Sequence, residues 1–153
     1  MIIFKDGKGG RLEQEFRFDI SKRGQSLAYA IDGFLVYNYG ENLVITCIKR
    51  TDPEQEDLVI KGYAKKGEVS LHQALPPLNL VRAFDFRWLE RWDKNIVEVE
   101  GFKSWVNKTF IYGNGFKETC IIHSGFKDGK PILDLASPNK HCHNQWIESN
   151  FWK

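Results

Sequence analysis

Four histidines stand in this chain of 153 residues, and two of them are spaced for chemistry. His141 and His143 lie two apart in His141-Cys142-His143-Asn144-Gln145. A strand over 141–147 sets both imidazoles on one face and Cys142 on the other. Two imidazoles on one face bind a metal together, or one binds it while the other moves protons. Alone, a His-x-His pair is weak evidence, and a carboxylate strengthens it. Asp85 lies in Ala83-Phe84-Asp85-Phe86, where a carboxylate needs a cation or several donors to offset its desolvation. The alternative for Asp85 is a surface-facing residue beside Arg87. His72 follows Val69-Ser70-Leu71 just upstream. Catalytic zinc takes three protein ligands and keeps a fourth position for water, and two histidines with one carboxylate supply that set.

The elements that must position these residues show as alternation and periodicity. Leu43 to Ile48 is a near-continuous apolar run, read as a buried strand. From Val81 to Trp88 the residues alternate, with Ala83, Asp85 and Arg87 on one face and Phe84, Phe86 and Trp88 on the other. Residues 117–123 and 141–147 read as two more strands, joined by a loop through Asp128-Gly129-Lys130-Pro131 and Ser137-Pro138-Asn139. A helix is predicted over 26–39, with Leu27, Ala30, Ile31, Phe34 and Leu35 on one face and Gly40 ending it. Another starts at Thr51-Asp52-Pro53-Glu54, capped by Asp52 with Pro53 in its first turn. Phe102, Trp105, Val106, Thr109 and Phe110 also have helical spacing. Residues 1–20 read as a hairpin, turning at Asp6-Gly7 and returning from Leu12 to Phe18. Residues 61–81 read as irregular. Strands and helices mixed without regular βαβ alternation indicate an α+β fold.

The length suggests one domain over 1–153. A net charge of +2 is too small to argue for nucleic acid or an anionic membrane as partner. No apolar run approaches the ~20 residues needed to cross a bilayer. The first residues lack the apolar stretch of a signal peptide, so synthesis in the cytoplasm is expected. Cys47, Cys120 and Cys142 are scattered and odd in number, each inside an apolar run. They read as buried thiols, not as a disulfide framework or metal ligands. Trp88, Trp92, Trp105 and Trp146 read as core or cleft wall.

Four segments carry a resemblance. Val44-Ile45-Thr46-Cys47-Ile48-Lys49-Arg50-Thr51 is similar to a strand ending in Ser-Gly-Tyr-Arg-Ser/Thr. Ser70-Leu71-His72-Gln73 is similar to a Ser-x-His segment, and Arg82-Ala83-Phe84-Asp85-Phe86 to a Gly-x-Ala-x-Asp segment. Lys140-His141-Cys142-His143-Asn144-Gln145 is similar to a closing His-x-His. In that order, across residues 43–146, they resemble the zinc peptidase superfamily of lysostaphin, the D-alanyl-D-alanine peptidases and hedgehog. The closer likeness is to the D-alanyl-D-alanine peptidase branch, with its phage endolysins. The chain departs from it in three places. Twelve residues separate His72 from Asp85 where the branch has six. Val81-Arg82 stand where the branch has glycine. Lys140 stands where many members have a catalytic glutamate.

The resemblance implies a small antiparallel sheet flanked by helices, with residues 1–20 as an extension. It implies zinc held by His72, Asp85 and His143, leaving His141 to do acid/base work. Arg50 would hold a substrate carboxylate or stabilise the oxyanion; its other reading is a solvated charge at the end of the strand. Arg50, Ser70 and His123 would line the substrate cleft; the other reading of His123 is a satisfied structural histidine. The implied activity is hydrolysis of an amide bond in a peptidoglycan stem peptide by a monomeric enzyme. It would be made in the cytoplasm and act on the wall when released by a holin or carried by a virion. Two other readings stand beside it. One is a degenerate binding or structural protein on the same fold. The other is a metal-dependent nuclease, suggested by His141-Cys142-His143-Asn144 and opposed by the low charge.

Overall fold

The computed structural model describes residues 1–62, 64, 66–67, 70–74, 79–88, 101, 119–127, 130–132 and 141–146. The helix predicted over 102–110 falls outside them, as do Trp92 and Trp105. The element order is β1 (Ile3–Phe4), α1 (Arg11–Phe18), α2 (Lys22–Tyr39), β2 (Leu43–Cys47), α3 (Asp52–Ile60), β3 (Ala83–Trp88), β4 (Thr119–His123), β5 (Gly125–Lys127), β6 (Lys130–Ile132) and β7 (His141–Gln145). Five strands form one sheet in the order β1-β2-β3-β7-β4, and β5 with β6 forms a separate pair. The fold is α+β, as the mixture of elements predicts.

The expected hairpin over residues 1–20 does not form. Only Ile3–Phe4 is strand, and Arg11–Phe18 is a helix. Leu12, Phe16 and Phe18 suit an alternating strand, but helical neighbours decide the conformation. Leu12, Glu15 and Phe16 bury one helical stripe. Arg11 pairs with Glu15 at 2.8 Å, and Arg17 with Glu13 at 3.2 Å, each four residues apart. Two helices therefore separate β1 from β2, a crossover long enough for a parallel pair. β1 runs parallel to β2, and the other sheet pairs are antiparallel. The sheet is thus mixed, not antiparallel throughout.

The predicted 26–39 helix begins earlier, because Ser21 Oγ caps it by accepting from Gly24 N. Gly40 ends it in the left-handed conformation at φ 66°, which glycine adopts without steric cost. Its buried side is Leu27, Ala28, Ile31 and Leu35, whereas Ala30 faces solvent. The cap of α3 is Thr51, one residue before the expected Asp52. Thr51 Oγ1 accepts from Glu54 N while the Glu54 carboxylate accepts from Thr51 N. Asp52 instead accepts from Gln73 Nε2 at 2.9 Å. The predicted loop between β4 and β7 holds the β5–β6 pair, with Lys127 opposite Lys130.

Alternation divides the sheet into two chemically different faces. Leu12, Phe16, Leu27, Ile31 and Leu35 from the helices pack on Leu43, Ile45, Phe84, Phe86, Cys142 and Trp146. The opposite face carries Asp85 from β3, and His141, His143 and Gln145 from β7. Gly24 explains how α2 comes so close: a Cβ there would stand 2.3 Å from the Trp146 ring. Trp146 follows Gln145 directly, so this contact also seats the end of β7. Gly24→Ala should cost about 1–3 kcal/mol despite alanine's better helix propensity, because the ring must move. Chemical denaturation reads this; unchanged or raised stability would show that Trp146 has room to shift.

Candidate metal centre

Three segments deliver the site. β3 and β7 pair so that Asp85 is directly opposite His143, and both side chains rise from the polar face. His72 comes from a turn outside the sheet. Gln73 N donates to Ser70 O, and the Ser70 hydroxyl accepts from His72 N at 3.1 Å. Arg50 N donates to His72 O, and Arg82 N donates to Leu71 O. The turn is therefore tied both to the chain after β2 and to the start of β3. That offsets the sequence distance of twelve residues between His72 and Asp85.

These ties bring three ligating atoms together. His143 Nδ1 is 3.0 Å from Asp85 Oδ1, His72 Nε2 is 3.2 Å from the same oxygen, and the two nitrogens are 3.3 Å apart. Donors around a tetrahedral zinc with bonds of ~2.0–2.2 Å stand about 3.3–3.6 Å from one another. The triangle is thus slightly tighter than a zinc-bound set, and the three residues fit a metal.

The outer nitrogens support the same assignment. His72 Nδ1–H donates to Ile48 O at 2.9 Å, and His143 Nε2–H donates to Gln145 Oε1 at 3.1 Å. Each ring is anchored by its far nitrogen and offers the near one to a common point. Metal-ligating histidines commonly donate their far N–H in this way to a carbonyl or carboxylate oxygen, which fixes the ring's orientation.

His72 is 4% exposed and Asp85 8%. Burial, the largest single influence on His72, opposes its positive charge. The Asp85 charge and hydrogen bond, with a smaller contribution from Cys47, outweigh it and raise the pKa from 6.5 to about 10. Burial likewise opposes charge on Asp85, but His72 and His143 together hold the carboxyl well below its usual range. Without a metal, an imidazolium occupies the place where a cation would sit.

Cys47 is part of this cluster, although the sequence reading leaves cysteine out. Its Sγ lies with ligand atoms of His72 and Asp85 in a group whose members are all within 4.8 Å of one another, a group that could hold a metal ion. A register shift between Ile45 and Cys47 is the cause. It brings Cys47, in place of Thr46, opposite Asp85. Sγ approaches the Nδ1 side of His72, at 3.9 Å, the nitrogen that already meets Ile48 O. His143 approaches the other nitrogen at 3.3 Å. The His72–Asp85–His143 triangle is the tighter of the two sets. Cys142 is buried in the core as expected, while Cys47 is only half-buried.

The remaining candidates are less tightly gathered. His141 Nε2 is 3.7 Å from Asp85 Oδ2, close to the triangle but outside it. Arg50 donates to Gln55 Oε1 at 2.9 Å and to Ser70 Oγ at 3.2 Å. Arg50 and Ser70 thus brace the His72 turn. Arg50 also lines an open groove with Cys47, Pro53, Asp57 and Leu58. The backbone of His123 pairs with that of His141; its side chain lies outside the described residues. Cys47, Gln55, Gln145 and the Ile48 carbonyl are the participants that sequence reasoning missed. Of these, only Gln145 carried a signal, two residues beyond His143 on the same strand face.

No protein-family model, curated protein or solved structure matches the chain. Among the described residues, no helix is long and apolar enough to cross a membrane.

Proposed function

We propose that this protein is a zinc-dependent peptidase that hydrolyses an amide bond in peptidoglycan stem peptides. His72 Nε2, Asp85 Oδ1 and His143 Nδ1 would hold the metal. The observation that carries the reading is the triangle of those atoms, with edges of 3.0, 3.2 and 3.3 Å. Zinc there would act as a Lewis acid that lowers the pKa of water to about 7 and polarises a carbonyl. The protein's own groups would do the rest. His141, beside the outer oxygen of Asp85, accepts a proton from water and returns one to the leaving amine. Arg50, at the groove next to Cys47, orients a substrate carboxylate. The choice of a stem peptide, and of zinc over another divalent ion, rests on the resemblance of the four segments.

Purified cell walls incubated with the protein should release new amino groups. A chelator should stop the release and added zinc restore it. Release that ignores the chelator would contradict the metal's part in the reaction. No release with zinc bound would reject the substrate.

Metal uptake should also release about one proton per ion at pH 7. His72, with its pKa raised to about 10, is charged in the metal-free protein and must be neutral to ligate. Titration calorimetry in buffers of different ionisation enthalpy counts that proton. A count of zero would mean that His72 is not a ligand or is already neutral.

A second reading is supported by Cys47. If its thiolate joined His72, Asp85 and His143, the ion would have four protein ligands, a closed set typical of structural sites. Cobalt substitution separates the two. A thiolate-to-metal charge-transfer band in the near ultraviolet favours the closed site, and its absence favours the catalytic one.

A further inference from the structure

We infer that Gln145 is a positioning residue of this metal centre, holding the outer nitrogen of His143 so that Nδ1 becomes the ligating atom. The inference deepens the metal-site reading and rests on it. Gln145 and His143 are two apart on β7 and share its polar face. Their contact is His143 Nε2–H to Gln145 Oε1, at 3.1 Å. In the metal-free protein Nδ1 donates to Asp85 Oδ1 at 3.0 Å, so it is the nitrogen aimed at the proposed ion. An imidazole with its proton on Nε2 instead has its lone pair there, free to ligate when a metal replaces that hydrogen bond. Were the proton on Nδ1, that nitrogen could not ligate, and the lone pair would point away from His72 and Asp85.

The two histidines are anchored differently. His72 leans on a backbone carbonyl, that of Ile48, which no substitution at position 48 removes. His143 leans on a side chain. β7 lies between β3 and β4, and Gln145 stands opposite Ala83 on one side and Thr119 on the other. Alanine at position 83 leaves the long amide room on the β3 side. The amide is also neutral. Asp85 is then the single anion among the three proposed ligands and this anchor, so a divalent ion keeps a net charge of about +1. A carboxylate at 145 would fix the same tautomer and add a negative charge.

The test measures zinc affinity by chelator competition for the wild type, Gln145→Leu and Gln145→Glu, with the thermal midpoint of each metal-free protein as a folding control. Gln145→Leu should bind zinc 10–100-fold more weakly. Gln145→Glu should bind at least as tightly as the wild type. The metal-free midpoints should stay together, because the residue lies on the half-exposed polar face. Nitrogen NMR of the zinc-loaded wild type should show the His143 ring proton on Nε2. Equal affinity for Gln145→Leu and the wild type would overturn the inference, as would a His143 ring proton on Nδ1. If Gln145→Leu does not fold, Gln145→Glu decides: weaker binding than the wild type overturns the inference. If the wild type binds no zinc, the metal-site reading fails as well. If it binds and Gln145→Leu is unaffected, the positioning role alone fails.

Discussion

Asp85→Ala should abolish zinc binding and cost the metal-free protein about 3–5 kcal/mol near pH 6, the range for breaking a buried ion pair. Both effects follow from one carboxylate oxygen serving two histidines, at 3.0 and 3.2 Å. Removing the anion leaves His72 with its burial and without its partner. Burial then dominates, and the imidazole sheds its proton instead of staying charged in the interior.

The sign of the pH dependence separates this from an ordinary core defect. His72 has a folded-state pKa of about 10, above its ordinary 6.5. Its contribution to stability is therefore fully present below pH 6.5 and is lost as pH rises toward 10. Asp85 is depressed below 3.8, so its contribution is present above that value and is lost only in stronger acid. The metal-free wild type should lose stability between pH 6.5 and 10. Asp85→Ala should be much flatter there. Zinc affinity should rise over the same interval, because the ion competes with the His72 proton. Denaturant titrations at pH 6 and pH 9 with a chelator present, paired with metal analysis, check these results. A wild type equally stable at both pH values would show that the His72–Asp85 pair is not charged.

His141→Ala should keep zinc and lose hydrolysis by 10²–10⁴-fold, the range for removing a general acid or base. His141 shares the polar face of β7 with His143. It stands 3.7 Å from Asp85 Oδ2, outside the triangle built on Oδ1. Its side chain is 29% exposed against 5% for His72, so of the two it is far more open to water and substrate. Loss of the metal along with activity would make His141 a ligand. Retention of full activity would remove it from the mechanism. The measurement is metal content and amine release on the same preparation.

Much of the site was legible because strands alternate. A period of two put Asp85 opposite in direction to Phe84 and Phe86, and put His141 and His143 on one face. The β3–β7 register, which sets Asp85 across from His143, was not readable. Register follows from packing on the far face, here Phe84, Phe86 and Cys142 against the helices. His72 was legible as a third ligand from its residue type and from the resemblance, but the turn that places it was not. Its turn is held by Arg50 N and Arg82 N, main-chain donors that leave no mark on side-chain pattern. Cys47 carries no signal in the sequence, because a register irregularity turns it toward Asp85, whereas a strand of unbroken alternation would put Thr46 there. The hairpin reading of residues 1–20 failed because Leu12 and Phe16 satisfy either period, and the two ion pairs at i,i+4 tip the balance to helix. The Asp128-Gly129 pair is a two-residue turn signal. It lies between Lys127 and Lys130, which pair in the structure where a plain loop is expected.

Anomalous scattering at the zinc edge, from crystals of the protein grown with zinc, tests the central claim most directly. The expected result is one strong peak about 2.0–2.2 Å from His72 Nε2, Asp85 Oδ1 and His143 Nδ1, with no bond to Cys47. A peak bound by Cys47 Sγ and His72 Nδ1, or no peak among these residues, would contradict it.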